Sequence, residues 1–192
     1  MNLTGQFLVA MPAMRDPYFS KTVTYICTHN QDGAMGVILN RCADITVANL
    51  FQQIQLETES ASLLKTPVHF GGPVQTDRGF VLHDIMPATS EEFNSTILIN
   101  NIVALTTSKD ILEATAQNKG PSKLLIALGY AGWTQGQLEA ELAQNAWLSI
   151  ETTNLKDIHT LIFDAPNHEK FDYAMNMMGL NLANLSDVAG HA

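Results

Sequence analysis

The stretch LLIALGYAGW, residues 124–133, determines how the rest of the chain is expected to fold. Its first half, residues 124–128, is continuously apolar, which is typical of a strand that is covered on both faces. In its second half Gly129 and Gly132 flank Tyr130, and glycine permits positive φ angles and the close approach of another segment or a ligand. We therefore expect a central strand that runs into an unusual turn.

Other apolar runs of strand length lie along the chain before this stretch. Residues 22–27 alternate between two faces, which is the period-2 pattern of a sheet strand. Residues 28–33 end in Asp-Gly and predict a turn that joins two strands as a hairpin. The predicted strands cover residues 7–11, 22–27, 34–39, 67–70, 80–83, 96–99 and 123–128.

One helix has an unusually complete start signal. Thr134 and Gln137 have the spacing of a capping box, and Trp133 precedes them as one half of a hydrophobic staple. We expect Glu139 and Glu141 to lie on the solvent-exposed side of this helix. Three further helices are predicted: one after Thr46 through residue 54, one from Ser108 to residue 116, and one between Pro166 and Gly179.

Predicted strands outnumber predicted helices, and they follow no regular βαβ order. This pattern favours a mixed α+β fold over a doubly wound parallel sheet. Residues 1–192 contain no stretch with the composition of a linker, so we expect one domain. Residues 181–192 are weakly patterned and are expected to fray.

The composition argues against several classes of partner. Nineteen acidic and ten basic residues give a net charge of -9, and the basic residues are dispersed along the chain. Because nucleic-acid binding relies on Lys and Arg that neutralise phosphates, we expect no direct nucleic-acid binding.

The chain start lacks the positive region of a signal peptide, and no run approaches the ~18 apolar residues of a membrane span. We expect a cytoplasmic protein, away from membranes, with Cys27 and Cys42 reduced.

Familiar catalytic and metal-binding signatures are missing from the sequence. It has no Gly-x-Ser-x-Gly elbow, and the Gly-Gly-Pro at residues 71–73 is followed by no Gly-Lys-Ser/Thr, so a tight turn is the better interpretation. The histidines form no His-x-His or His-Glu-x-x-His motif. Cys27 and His29 would share a strand face, but a buried thiol beside a turn histidine is the simpler explanation. We assign no catalytic residue, no metal site and no cofactor.

Four side chains near the glycine turns form the candidate ligand site: Arg78, His83, Tyr130 and Trp133. Arg78 can present a planar guanidinium to a carboxylate or phosphate. The alternative is an internal ion pair between Arg78 and an acidic residue such as Asp77 or Asp84. The site also requires the strand after Arg78 to lie beside the turn that contains Tyr130.

Several segments together resemble a known family. They are LTGQFLVAMP at residues 3–12, GAMGVILNR at 33–41, GGPV at 71–74, RGFVLH at 78–83 and GYAGW at 129–133. In these segments the chain is similar to the AlgH/YqgE proteins, a bacterial group without an agreed biochemical function. The resemblance implies a cytosolic α+β domain with a mixed, strongly curled, barrel-like sheet flanked by helices. It brings no catalytic residues.

Three functional hypotheses follow. The first is a non-catalytic regulatory or binding protein that acts through a protein partner or a small ligand, which the four-residue site would bind as an anion. The second is an enzyme that acts on a small anionic substrate anchored by Arg78. The third is direct DNA binding, because some members of the family are labelled transcriptional regulators. The acidic charge and the missing helix-turn-helix pattern oppose this third hypothesis.

Overall fold

The computed structural model describes residues 1–85 and 93–179. Within these residues the strands join into one continuous hydrogen-bonded arrangement. The strands are β1 (Phe7–Ala10), β2 (Val23–Asn30), β3 (Gly33–Ile38), β4 (Cys42–Thr46), β5 (Pro67–Phe70), β6 (Val74–Asp84), β7 (Thr96–Leu98), β8 (Val103–Thr106), β9 (Leu124–Thr134) and β10 (Trp147–Ile150).

Eight of these strands follow one another in the order β10-β1-β2-β3-β9-β6-β8-β7. All neighbours along this path are antiparallel, whereas β5 pairs with β9 in parallel and with β4 in antiparallel orientation. The sheet curls into a half-barrel with helices packed against it. The predicted α+β class with a mixed, curled sheet is therefore confirmed. The predicted frayed segment 181–192 lies outside the described residues.

The centre of the sheet is β9, as the apolar run at its start predicts. It pairs with β3, β5 and β6, which cover its edges, and apolar clusters pack against both of its faces. Leu125, Ile126 and Ala127 are almost completely buried. The strand continues to Thr134, six residues beyond the predicted end, because its second half pairs with the hairpin strand β3.

The structure adds three strands that the sequence analysis did not predict. β4 has no buried residue, so its sequence carries no clear alternation of apolar and polar residues. β10 is an edge strand that pairs only with β1 along the path of the sheet. β8 is fully buried between β6 and β7, and its continuous apolar run has no period of its own.

The described helices are α1 (Val47–Gln53), α2 (Ala61–Leu64), α3 (Asp110–Ala116), α4 (Gln137–Ala143), α5 (Leu155–His159) and α6 (Lys170–Met177), with a π-helical segment at Thr160–Asp164. Thr46 is the N-cap of α1, as predicted, and Asn49 completes a capping box that the sequence analysis did not predict. The prediction for α4 is wrong at its start. The strand β9 extends through Thr134, and the helix begins after Gly136, whose φ of 73° reverses the chain.

Three apolar clusters form the interior. The largest lies inside the curl of the sheet and includes Phe80, Leu125 and Met175 of α6. A second packs α1 and α3 against the other face of β9 and β6. The third joins α4 to β9 and β10 through Trp133, Leu138 and Trp147.

A candidate ligand groove beside Tyr130

Close backbone contact shapes the region around Tyr130. A Cβ atom on Gly129 would overlap the carbonyl oxygen of Gly72, and one on Gly72 would overlap the backbone of Tyr130. Gly129 has a φ of 71° and Gly72 a φ of 151°, both in the region that favours glycine. Glycine at these positions therefore allows the segment before β6 to lie directly on β9.

A large bulge in β6 lies next to this contact. Val74 pairs with Tyr130 and Gly79 pairs with Leu128, so five steps along β6 match only two steps along β9. The four residues between these pairs, 75–78, are all exposed and lie opposite the single residue Gly129. A bulge of this kind bends its strand and redirects side chains at the edge of a sheet.

Arg78 lies on this bulge and is available to solvent. Its Nη1 donates a hydrogen bond to Oε1 of Gln75 at 3.2 Å. In the described part of the chain no carboxylate is within 4.0 Å of Arg78. The ion pairs with Asp77 or Asp84 that the sequence left open are not formed, and Asp84 instead accepts hydrogen bonds from Ser122 and from the Lys123 backbone.

A groove of about 450 Å³ opens beside Tyr130. Its walls come from the β2–β3 hairpin at residues 28–35, from Val74 of β6, and from residues 130–134 of β9. Asp32 is the one lining residue that carries a charge at neutral pH, so the groove is mildly acidic. Its remaining surface is apolar or uncharged.

Gly132 creates the space in this groove. A Cβ atom at Gly132 would lie 3.2 Å from Cε2 of Tyr130 and 3.6 Å from Cγ2 of Val74. The Tyr130 ring also packs against Phe80, with ring centroids 5.2 Å apart, so one face of the ring is held by the core. The half-buried phenol therefore forms a fixed aromatic wall.

Trp133, predicted both as half of a hydrophobic staple and as a residue of the ligand site, packs in the same apolar cluster as Leu138. Its indole is 6% exposed and packs against Trp147, with centroids 5.9 Å apart. Its Nε1 donates to Oε2 of Glu141 at 2.9 Å, and Nε1 of Trp147 donates to the same oxygen at 2.7 Å. Since side chains alternate along a strand, the indole lies on the face opposite the Tyr130 ring.

The acidic side chains of α4 are structural, which corrects the expectation of a purely solvated face. Glu141 accepts hydrogen bonds from the two indoles and from Gln137. Glu139 lies 2.9 Å from Nε2 of His29. Because the Leu3 backbone N–H donates to Nδ1 of His29, Nε2 carries the proton and donates to Glu139. Its own backbone N–H and then His29 hold the pKa of the Glu139 carboxyl below its usual value.

His83 does not belong to the groove. It pairs with Leu124, six residues from Tyr130 along β9, which corresponds to about 20 Å at ~3.3 Å per residue. Its Nδ1 faces the Asp84 carbonyl at 3.0 Å, and its Nε2 accepts from the Thr106 hydroxyl at 2.9 Å. Burial lowers the pKa of His83, although the Asp84 carbonyl and charge oppose this effect. The His83 side chain is neutral, and both of its ring nitrogens are engaged in hydrogen bonds with neighbouring groups.

The structure therefore brings together only part of the predicted four-residue site. Tyr130 lines the groove, Arg78 lies on the adjacent bulge, and Trp133 contributes to the lining while its indole is buried elsewhere. Sequence reasoning missed the hairpin residues opposite Tyr130. The Asp-Gly turn at residues 32–33 located the hairpin, but nothing in the sequence showed that it pairs with β9.

A second polar cluster lies on β4, β5 and the start of α6. It contains Cys42, His69, Asn167 and Lys170. Lys170 is 2% exposed and donates from Nζ to the Ile162 carbonyl at 2.7 Å. Burial lowers its pKa to about 8, against smaller opposing effects from Cys42 and Asp164. The sequence showed no motif here because the residues are far apart along the chain.

Across residues 1–85 and 93–179, no group of three or more His, Cys, Asp or Glu side chains is placed to hold a metal ion. No described helix has both the length and the apolar character needed to cross a membrane.

Comparisons with known proteins identify the family. A family model described as AlgH-like matches residues 7–183. The chain belongs to the AlgH-like family. A UPF0301 protein of Ralstonia nicotianae is 47% identical over 192 residues, covering 100% of this chain and 96% of that protein. A UPF0301 protein of Thiobacillus denitrificans is 51% identical, covering 100% and 98%.

Solved structures agree with this AlgH-like assignment. The solution structure of the AlgH protein from Pseudomonas aeruginosa matches with a TM-score of 0.77 and 43% identity, covering 100% of this chain and 97% of that one. A crystal structure of a protein from Corynebacterium diphtheriae matches with a TM-score of 0.68 over 94% and 88% of the two chains, but at 19% identity it shows the fold alone. These relatives carry no name that states a biochemical activity.

Proposed function

We propose that this AlgH-like protein is a non-catalytic binding protein whose groove beside Tyr130 takes up a small ligand. The main supporting observation is that Gly132 has no side chain, which leaves a groove of about 450 Å³ between the Tyr130 ring and the β2–β3 hairpin. A concave surface with an aromatic wall and a few polar groups is the usual form of a small-molecule site.

The charges around the groove define the class of ligand. The lining contains the Asp32 carboxylate and no cationic side chain, which favours a neutral or cationic ligand with an aromatic or apolar part. Arg78 lies on the neighbouring bulge, where its guanidinium can reach an acidic group at the end of such a ligand. A small anion held mainly by Arg78 is the other form of the proposal, as the sequence suggests.

The groove suits binding better than catalysis. Its side chains include no histidine, cysteine or lysine that could act as a base or nucleophile at neutral pH. His29, which lies between the lining residues Thr28 and Asn30 in sequence, and His83 of the predicted site are engaged in structural hydrogen bonds. Occupancy of the groove would instead fix the exposed hairpin tip and the β6 bulge, which are the surfaces offered to a partner.

The proposal includes action in the cytoplasm. The support is that Cys27 and Cys42 are both free, as predicted for a reducing compartment. Cys27 lies in the core and Cys42 on the surface.

A ligand-capture experiment tests the binding proposal. Immobilised protein is exposed to a small-molecule extract of Thiobacillus denitrificans, washed, and analysed by mass spectrometry of the eluted compounds. The key variant is Gly132→Val, which fills the gap next to Tyr130. Gly132 has no positive φ, and a Cβ there would lie 3.2 Å from its nearest neighbour, Cε2 of Tyr130, which needs to shift by only a few tenths of an ångström, so we expect the variant to fold.

Gly79→Val is the matched control, because a Cβ at Gly79 meets nothing within 4 Å and the residue lies outside the groove. We expect a compound that the original protein and Gly79→Val retain and that Gly132→Val loses. Equal retention by all three proteins, or no retained compound, would contradict the proposal. Loss in Arg78→Ala would identify the anionic form, and retention there would identify the neutral or cationic form.

A further inference from the structure

The last part of β9 has an open edge beside the groove. β9 lies between β3 and β6 in the sheet, and residues 131–134 pair with β3 on one side. On the other side the pairing with β6 ends at Val74 and Tyr130, because β6 begins at Val74. The chain before Val74 does not continue along this edge, since a Cβ on Gly72 would overlap the backbone of Tyr130. Within residues 1–85 and 93–179, no strand pairs with Gly132 on that second side.

The backbone groups of Gly132 point to this open edge. A Cβ atom on Gly33 would lie 2.1 Å from the carbonyl oxygen of Trp133, so that carbonyl is directed at β3. The Thr134 N–H is directed away from β3 and donates to Oε1 of Gln137. Successive residues of a strand direct their N–H and C=O groups to opposite edges. The N–H and the C=O of Gly132 are therefore directed away from β3.

This edge is accessible and unusually free of side-chain bulk. Gly132 is exposed, whereas its neighbours Ala131 and Trp133 are 0% and 6% exposed. In the described part of the chain, neither the N–H nor the C=O of Gly132 has a hydrogen-bond partner. A glycine inside a strand often marks a place where another backbone approaches closely. A free donor and a free acceptor at a sheet edge form a template on which an extended peptide can add as a further strand.

We propose that the groove binds an extended peptide segment of a partner protein, which pairs with the β9 edge at Gly132. This inference rests on the proposed binding role of the groove and specifies its ligand. In antiparallel orientation, one peptide residue accepts a hydrogen bond from the Gly132 N–H and donates its own N–H to the Gly132 carbonyl. These main-chain bonds contribute affinity, and the walls of the groove select the side chains of the peptide.

The groove favours a peptide with apolar and basic side chains. Tyr130 and Gly132 are two residues apart and share one face of β9, and Met35 pairs with Gly132 from β3. The space above Gly132, between the Tyr130 ring and Val74, accepts an apolar side chain. Asp32 is the charged lining residue, and the whole chain has a net charge of -9. A lysine or arginine beside the apolar residue complements this charge.

Amide hydrogen exchange in the free protein tests the open edge without any ligand. The Ala131 and Trp133 N–H groups are directed at β3, whereas the Gly132 N–H faces solvent. We expect the Gly132 amide to exchange about a hundredfold faster than the amides on either side of it. Equal protection of the three amides would contradict the open edge and with it the peptide proposal, while leaving the groove itself in place.

The binding test uses a library of acetylated, amidated pentapeptides that have lysine at both ends and all combinations of Leu, Val, Phe, Tyr and Thr between them. Immobilised protein is exposed to the library, and retained peptides are identified by mass spectrometry. We expect peptides that the original protein and Gly79→Val retain and that Gly132→Val loses. Glutamate in place of both terminal lysines should abolish retention.

N-methylation of the tightest peptide separates an added strand from side-chain contacts alone. Each of the central amides is methylated in turn, which removes one N–H and leaves the side chains unchanged. We expect about tenfold weaker binding for one analogue and little change for its immediate neighbours, because only one N–H faces the Gly132 carbonyl. Equal binding of all analogues would overturn the added strand.

The remaining outcomes distinguish this inference from the proposed function. If no peptide is retained but a compound of the small-molecule extract is retained and then lost in Gly132→Val, the groove binds small molecules and the peptide proposal is wrong. Protection of the Gly132 amide that rises with protein concentration, together with a dimer in size-exclusion chromatography, would show a second copy at this edge and would also overturn the proposal. Retention of neither peptide nor extract compound would contradict the proposed function as well.

Discussion

Replacing Glu141 by Ala should destabilise the protein more than is usual for the loss of a half-exposed glutamate. One carboxylate oxygen of Glu141 accepts from Nε1 of Trp133 at 2.9 Å and from Nε1 of Trp147 at 2.7 Å. Trp133 and Trp147 are 6% and 3% exposed, so each buried indole N–H loses its acceptor when the carboxylate is removed.

The expected magnitude follows from these two bonds. A buried donor that loses its partner costs about 1–3 kcal/mol. Because Glu141 is half-buried and water can enter part of the vacated space, we take the lower half of this range for each indole. The free energy of unfolding should fall by about 2–4 kcal/mol in Glu141→Ala. Glu141→Gln keeps one acceptor oxygen for the indoles but loses the charge and the oxygen that accepts from Gln137, so we expect a loss of about 1 kcal/mol.

Urea unfolding followed by circular dichroism measures this effect without relying on the tryptophans. The fluorescence of the protein is a second readout, because Trp133 and Trp147 are its two tryptophans. Glu113→Ala is the control, since it removes only an exposed ion pair with Lys109 on α3, worth about 0.3–0.5 kcal/mol. A loss below about 0.5 kcal/mol in Glu141→Ala, with unchanged fluorescence, would refute the bridged arrangement.

Three further predictions concern charge. Lys170→Met should raise the free energy of unfolding at pH 7 by about 1–2 kcal/mol. The lowering of the Lys170 pKa from 10.5 to about 8 means that burying the charged ammonium costs about 3 kcal/mol, and the variant removes this cost. The hydrogen bond to the Ile162 carbonyl is lost at the same time and offsets part of the gain. In urea unfolding, this gain should shrink as the pH rises from 8 towards 10.5, where the unfolded lysine binds more protons than the folded one. His69 and His83 have pKa values below the ordinary 6.5 in the folded state. The free energy of unfolding should therefore be fully retained above pH 6.5 and decrease as the pH is lowered below 6.5, because the unfolded state then binds more protons. His83→Gln should make this dependence of stability on pH less steep. Finally, a gel-shift assay at physiological salt should show no sequence-dependent, sub-micromolar binding to duplex DNA, because ten dispersed basic residues cannot offset nineteen acidic ones.

The parts of the fold that the sequence predicted correctly depend on local patterns. Thr46 caps α1 because its side chain and that of Asn49 are only three residues apart. Leu125 to Ala127 form the central strand because an uninterrupted apolar run must be covered on both faces. Gly179 ends the last described helix with a φ of 70°.

The parts that the sequence did not predict depend on contacts between distant segments. Thr134 and Gln137 have the spacing of a capping box, and the Thr134 N–H does donate to Gln137. The pairing of Thr134 with Gly33, 101 positions earlier, keeps Thr134 in the strand, so the helix begins after Gly136. A local sequence motif does not show that strand pairing competes with helix capping at Thr134.

In the candidate sites, too, local sequence patterns predicted some features, and contacts between distant segments determine the others. The glycines that flank Tyr130 mark it in the sequence, and the groove lies there. His83 is close to Arg78 in the sequence, yet the β6–β9 register places His83 at the opposite end of β9 from Tyr130. The Cys42 cluster could not be seen at all, since Cys42 and Asn167 are 125 residues apart.

Chemical-shift mapping tests the binding role of the groove most directly. Uniformly ¹⁵N-labelled protein is titrated with the small-molecule extract used for ligand capture, and amide shifts are followed to saturation in the original protein and in Gly132→Val. We predict saturating shifts at residues 28–35 and 130–134 that disappear in the variant. Saturating shifts centred on His83 and Leu124, or shifts that persist unchanged in Gly132→Val, would contradict the assignment of the groove as the ligand site.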